Sequence, residues 1–245
     1  MAMNLLTGVA RSVGLSTVMR VAGVVTRLLP IPQPTMMVGP GASGRLGQAI
    51  NDFSHRKILI VSDATISRLG LMRPLCKALT AGGTEFVVFD GISPDAPIDE
   101  IEKGVEIFKS EGCDAIVAFG GGSAMDAAKV IGLSAANNKR PQQLVGYFKG
   151  LHAPPAIYAV PTTAGTGSEV TVAAVVSDPV GKRKLVIADT RIVPTMAALD
   201  PSLMTGLPKD ITAATGMDAL THAIVPLSVT GAAISRTAWR SPASA

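Results

Sequence analysis

Short apolar runs alternate with amphipathic stretches through the middle of the chain. Lys57–Val61, Glu85–Phe89, Ala115–Phe119 and Ile157–Val160 are four such runs, and Thr35–Val38 is a weaker one. Each is four or five residues long and bounded by polar, proline or glycine positions, as buried strands are. Between them the spacing predicts helices over Gly44–Ile50, over Thr65–Leu79 with Pro74 denting the pattern, and over Pro97–Lys109. The last has proline at its start and acids in its first turn. A further small-residue helix follows Phe119 and ends near Ala135. Strands alternating with helices at this spacing predict an α/β fold, a parallel sheet with helices on both faces. Val170–Ser177 and Arg183–Ile187 then predict a hairpin around Asp178-Pro179-Val180-Gly181. After a capped turn over Asp200–Pro208, Ile211–Ile224 predicts another helix.

Composition adds constraints. Of the 245 residues, 47% are hydrophobic and only 4% aromatic, so small and branched aliphatic side chains must fill the core. Charge is placed unevenly. Arg11, Arg20, Arg27 and Arg45 precede Asp52 with no acid among them, whereas from Asp52 onward 18 Lys and Arg face 18 Asp and Glu. The globular part is therefore neutral and offers no basic stripe for nucleic acid. Residues 1–35 are acid-free and admit two targeting readings, a transit peptide or a membrane-surface helix. Arg11 lies nearly opposite Arg20 and Arg27 on a helix, so the moment is poor. The reading adopted is an extension on a soluble protein, closed by the prolines at 30, 32 and 34. No uncharged run is long enough for a spanning helix. Cys76 and Cys113 lack metal spacing and suggest no disulfide framework, so a reducing compartment is the simpler reading. The cytoplasm is expected, or an organellar matrix if residues 1–35 are a transit peptide.

The chemistry begins at Gly120-Gly121-Gly122-Ser123-Ala124-Met125-Asp126-Ala127-Ala128-Lys129, a glycine turn between a strand and a helix. Glycines let backbone N–H groups approach a ligand, and a helix start adds unpaired donors and a positive dipole end. That combination suits a phosphate; the alternative is a tight strand–helix joint with no ligand. Ser123 is a candidate N-cap, with Asp126 in the first turn. Met125 stands where a dinucleotide fingerprint has its third glycine. Asp63, at the end of another strand, is a candidate for a ribose hydroxyl and would oppose a 2′-phosphate. It is equally a helix cap, with Thr65 as a rival cap.

Pro161–Thr171 contains Thr162, Thr163, Thr166, Gly165, Gly167 and Ser168, small hydroxyl and glycine residues able to line a diphosphate or ribose. The alternative is an ordinary polar turn. Lys184 lies on the second arm of the hairpin, where a lysine is usually solvated. Asp218 and His222 are four apart, on one helical face, and can share a divalent metal or form an ordinary helix pair.

Gly120–Lys129, Pro161–Thr171 and Gly216–Ile224 together resemble the iron-containing, group III alcohol dehydrogenases, over roughly residues 35–224. The resemblance implies a Rossmann-like dinucleotide domain at 35–206 and, at 207–224, the first helix of an incomplete all-helical metal-binding domain. An N-terminal extension and linker (1–34) precede them and a divergent tail (225–245) follows. It implies NAD as cofactor, with Asp63 on the adenosine ribose and Gly120, Gly121, Gly122, Ser123 and Asp126 at the diphosphate. Thr162, Thr163, Thr166 and Lys184 would be further contacts, as would Asp95, where the family often has Asn. Asp218 and His222 match the first two ligands of a metal, usually iron and sometimes zinc. A small alcohol or aldehyde is the implied substrate, and a homo-oligomer is compatible with the reading.

The chain departs from the family after Ile224. It reads Val225-Pro226-Leu227 where Glu-Ala-Tyr is usual, and Pro226 disfavours helical Val225. The tail Gly231–Ala245 has no helical period and reads as the product of a frame change or broken gene. The family's later metal-ligating histidines have no counterpart, since the sequence holds only His55, His152 and His222. Two functions follow: an alcohol dehydrogenase by descent with impaired catalysis, or a non-catalytic remnant that keeps dinucleotide or partner binding. A polyol dehydrogenase or a dehydroquinate-synthase-like lyase is a third class, from which the Gly216–Ile224 motif points away.

Overall fold

The computed structural model describes residues 32–229. The expected extension, except for its last residues, and the tail beyond Val229 lie outside the described residues. From Gln33 onward the described chain belongs to one compact unit.

Six strands form a parallel sheet. They are β1 (Thr35–Val38), β2 (Lys57–Val61), β3 (Glu85–Phe89), β4 (Ala115–Gly120), β6 (Ala156–Pro161) and β9 (Met196–Leu199), in the spatial order β1-β9-β6-β4-β2-β3. Every pairing is parallel. The all-apolar run of β4 is buried along its whole length, as a central strand covered on both faces must be. The period of two divides the core. Ile58 and Ile60 of β2 face one layer, with Val117, Phe119 and Tyr158; Leu59 and Val61 face the other, with Ile116 and Ala118.

The first layer is covered by α1 (Ala42–Asn51), α2 (Ala64–Leu69) and α3 (Arg73–Ala81). The single helix expected over Thr65–Leu79 is therefore two. Gly70 adopts φ 67, which a glycine enters at little cost, and ends α2. Pro74 then lies in the first turn of α3, where its missing N–H has no helical partner to lose.

The second layer is covered by α4 (Ile98–Ser110) and α5 (Gly122–Asn137). A smaller sheet, with β5 (Gly146–Tyr147) parallel to β8 (Arg183–Ala188) and β7 (Ala173–Asp178) antiparallel to it, lies over α5. Ala174, Val176 and Ile187 join Ala127, Ala128 and Ile131 in one core. A helix enclosed on both sides needs apolar residues all round, which explains the weak amphipathic pattern of α5. The expected hairpin is present, although Val170 falls in a single 3₁₀ turn, Ser168–Val170, before it.

The last described helix, α6, runs Lys209–Val229. It continues five residues beyond Ile224 and passes through Pro226, against the expectation that Pro226 would end it. Met217, Leu220 and Ile224 on it are half exposed or more. No helix among the described residues is long and apolar enough to cross a membrane.

Candidate functional site

Three of the strand-to-helix turns at the carboxyl ends of the parallel strands treat their helix N-termini differently. At α2, Asp63 is the N-cap, its Oδ1 accepting from Thr65 N–H at 2.8 Å and Ile66 N–H at 3.0 Å. The cap reading of Asp63 is thus realised, while Oδ2 lies on the Gly120 side, 3.9 Å from where a Cβ of residue 120 would stand.

At α1 the cap comes from far along the chain. Asp200 Oδ1 accepts from Gly41 N–H, and Oδ2 accepts from both Ser43 N–H and Ser43 Oγ, at 2.8 to 3.2 Å. Burial pushes the Asp200 carboxyl up, but hydrogen bonds from Ser202, Ser43 and Gly41 outweigh this and hold it below the usual carboxylate range.

At α5 no side chain caps the helix. The N-cap is Gly121, so Ser123 lies inside the helix and is not the cap expected from sequence. Ser123 Oγ instead accepts from the N–H of Asp95 at 3.0 Å. Asp126 falls beyond the first turn, and both its oxygens are engaged within the fold. Oδ1 accepts from Ser168 Oγ at 2.5 Å and Oδ2 from Val175 N–H at 2.8 Å. Burial raises the Asp126 pKa, with Ser168, Val175 and Lys129 acting in the opposite direction. Asp126 ties α5 to the hydroxyl loop and the hairpin, and it also lines the cleft in front of the helix.

The glycines have a packing role as well. A Cβ on Gly120 would stand 2.7 Å from the Ala124 Cβ, one on Gly121 3.2 Å from Thr163 Oγ1, and one on Gly122 2.8 Å from Thr166 Cγ2. The turn is bare so that the loop after β6 can lie against it. Thr162 itself is buried, its N–H donating to Gly120 O at 3.0 Å, which leaves Thr163 and Thr166 as the loop's more accessible hydroxyls.

Lys129 is the residue whose role sequence reasoning missed. It is fully buried, and Nζ donates within 2.9–3.1 Å of Ser168 Oγ, Thr171 Oγ1, Thr171 O and Ala173 O. Burial lowers its pKa to about 8 against the opposing pull of Asp126 and Glu169. A lone cation in an otherwise small and apolar helical run, three residues from Asp126, was the available signal.

A cleft of about 490 Å³ opens in front of the α5 N-terminus. Gly122 and Ser123 lie at one wall, Thr166 and Ser168 at another, and Asp95, Lys184, Asp218 and His222 also line it. The cleft therefore brings together the expected cofactor-side and metal-side residues. Asp63, Gly120, Gly121, Thr162 and Thr163 stand outside its lining.

Asp218 Oδ1 and His222 Nδ1 are 3.8 Å apart on adjacent turns of α6. His222 Nδ1 also lies 2.9 Å from Gly165 O, an arrangement in which Nδ1–H donates to the carbonyl and Nε2 keeps its lone pair. Gly165, at φ +138, allows this approach, since a Cβ there would stand 2.6 Å from Thr215 O and 2.9 Å from Asp218 Oδ2. No third donor joins the pair among the described residues. His55 bonds Tyr158 at the amino ends of the strands, and His152 lies in the loop held by Asn137. No His, Cys, Asp or Glu follows His222 in the sequence. A held catalytic metal usually needs three or more protein ligands, so the donor set of this chain does not by itself fit one.

The iron-containing alcohol dehydrogenase family model matches residues 33–201. The chain belongs to this family. NAD-dependent methanol dehydrogenase of Bacillus methanolicus is 40% identical to this family member over 199 residues, which are 81% of this chain and 52% of that protein. Among solved structures, a 1,3-propanediol oxidoreductase aligns with a TM-score of 0.75 at 36% identity, covering 80% of this chain and 52% of that one. Sulfoacetaldehyde reductase from Bifidobacterium kashiwanohense, solved in complex with NAD+, aligns with a TM-score of 0.70 at 31% identity, over 79% and 51% respectively. The chain spans about half the length of the curated relatives it matches.

Proposed function

We propose that this chain carries the dinucleotide-binding half of an NAD-dependent alcohol dehydrogenase. The observation that supports this most is the uncapped N-terminus of α5, facing a cleft that also contains His222 and Asp218. The first N–H groups of α5 and its dipole would hold the diphosphate. Thr163, Thr166 and Lys184 would contact the rest of the cofactor, and the charge of Asp63 would disfavour a 2′-phosphate. A bound nicotinamide supplies or accepts the hydride exchanged with a small alcohol or aldehyde. The chain's own contribution would be to anchor the dinucleotide at the α5 N-terminus, in a cleft that Asp218 and His222 of α6 also line. Two donors one helical turn apart should hold iron or zinc weakly.

The chain on its own should bind NADH, prefer it to NADPH, and turn over alcohols negligibly even with ferrous iron or zinc supplied. Fluorescence titration with both dinucleotides tests binding, and alcohol-dependent NADH formation tests turnover. Absence of NADH binding, or tighter NADPH binding, overturns the cofactor reading. Robust metal-dependent turnover abolished by His222→Ala overturns the reading of impaired catalysis.

A further inference from the structure

Two charged residues from separate elements meet across the cleft beside Ser123. Lys184 Nζ, from β8, lies 2.8 Å from Asp95 Oδ1, in the loop between β3 and α4, and each side chain is about 60% exposed. The two ends of this pair are held very differently. Asp95 and Ala96 adopt φ 67 and φ 47, a left-handed stretch that residues with a Cβ seldom enter. Tertiary contacts fix it: Asp95 N–H donates to Ser123 Oγ, Ser177 N–H donates to Ala96 O at 3.2 Å, and Ala96 is fully buried. The Asp95 carboxylate is therefore presented from a constrained turn. Lys184 reaches it on a flexible four-carbon stem.

The placement has an electrostatic consequence. Without Asp95, the α5 N-terminus and Lys184 would give this wall of the cleft a positive field. With it, the lysine charge is neutralised and a negative charge stands close to where an anion would bind. We propose that Asp95 sets the affinity of the cleft for a dinucleotide by competing with its diphosphate for Lys184. Binding then requires Lys184 to leave or share its carboxylate partner, so cofactor is held more weakly than the helix N-terminus alone would allow. The inference rests on the dinucleotide reading above.

Asp95→Asn is the informative substitution. Asn tolerates the left-handed region and keeps the backbone N–H that bonds Ser123, so charge is removed without disturbing the turn. Exposed ion pairs are worth up to about 1 kcal/mol, which corresponds to about fivefold in affinity. NADH titration at low ionic strength should show about fivefold tighter binding to Asp95→Asn and weaker binding to Lys184→Ala. Placed in the Lys184→Ala background, Asp95→Asn should gain less than about twofold. The fivefold gain should also shrink in about 0.5 M salt, where the Debye length is only a few ångströms. A wild-type chain that binds NADH but shows no gain, or a loss, on Asp95→Asn overturns the inference and leaves the dinucleotide reading standing. An equal gain in both backgrounds also overturns it, since the effect would then not pass through Lys184. Failure of all four proteins to bind NADH overturns both.

Discussion

The N-termini of α1 and α5 make a controlled comparison within one fold. Both helices follow a parallel strand, start at the carboxyl ends of the strands and begin at a glycine turn. At α1 the buried carboxylate of Asp200 takes up the helix donors. At α5 the neighbouring carboxylates are turned elsewhere: Asp63 caps α2, Asp126 faces Ser168 and Val175, and Asp95 faces Lys184. Capping is the usual fate of a helix start near a conveniently placed acid. Its absence at α5, with acids close by, leaves that end open for the ligand proposed above, whereas α1 is closed by Asp200. Glycine content alone does not separate them, because glycines serve other ends at both turns: Gly39 and Gly41 adopt φ 113 and φ 75, and Gly120 and Gly122 permit close packing.

Removing the support beneath the open end should have the largest effect. Lys129→Met would leave Ser168 Oγ, Thr171 O and Ala173 O without their buried donor. We expect a loss of about 3–5 kcal/mol in urea unfolding, together with loss of NADH binding. The pH dependence sharpens this. Folded Lys129 releases its proton near pH 8, whereas in the unfolded chain it keeps it to about 10.5. Between these values the unfolded state binds more protons, so the site's contribution to stability rises with pH. The wild-type advantage over Lys129→Met should therefore grow from about pH 8 to pH 10, by at most about 1.4 kcal/mol per pH unit. A constant advantage would mean that Lys129 titrates normally in the folded chain.

Breaking the closed end should cost less and leave binding alone. Asp200→Ala strands the N–H groups of Gly41 and Ser43 and should destabilise by about 2–3 kcal/mol. NADH affinity, measured well below the unfolding transition, should stay within about twofold. A large drop in affinity would mean that the two helix ends are coupled through the sheet.

The two ends also differ in how far the sequence alone reveals them. Asp63 could be recognised as a cap because its partners, Thr65 and Ile66, are two and three residues away. The turn at Asp200 was legible as capped, but not its service to α1, which depends on β9 pairing with β1 and bringing together residues 157 apart. The central strands could be read from composition because burial on both faces demands continuous apolar runs. Local chemistry makes Ser123 a cap candidate, but the helix begins at Gly122 with Gly121 as its N-cap, and the Ser123 hydroxyl bonds Asp95, 28 residues earlier. Lys129 carries no local sign of its acceptors, which lie 39 to 44 residues further on. Local rules thus find most strands, though not β5 or β9, together with most helices and the glycine turn, and miss the polar bonds that decide which turn stays open.

The smallest expected effect comes from α6, and it tests whether the cleft needs that wall to hold a cofactor. The His222 side chain is 60% exposed and is joined to the loop through one bond, Nδ1 to Gly165 O. Exposed side chains with a single such contact usually contribute within about 0.5 kcal/mol. The loop, by contrast, is anchored from the other side by Lys129 and Asp126, and by Thr163 and Thr166 packing against the glycine turn. Removing His222 should therefore leave the loop where it is. His222→Ala should shift the urea midpoint by no more than this small amount and change NADH affinity by less than about twofold. Zinc or ferrous binding by the wild-type chain, weak with two donors, should fall below detection in the same variant. If NADH affinity instead drops tenfold while zinc binding is unchanged, α6 supports the cofactor and not a metal, and the division of the cleft into a dinucleotide wall and a metal wall is wrong.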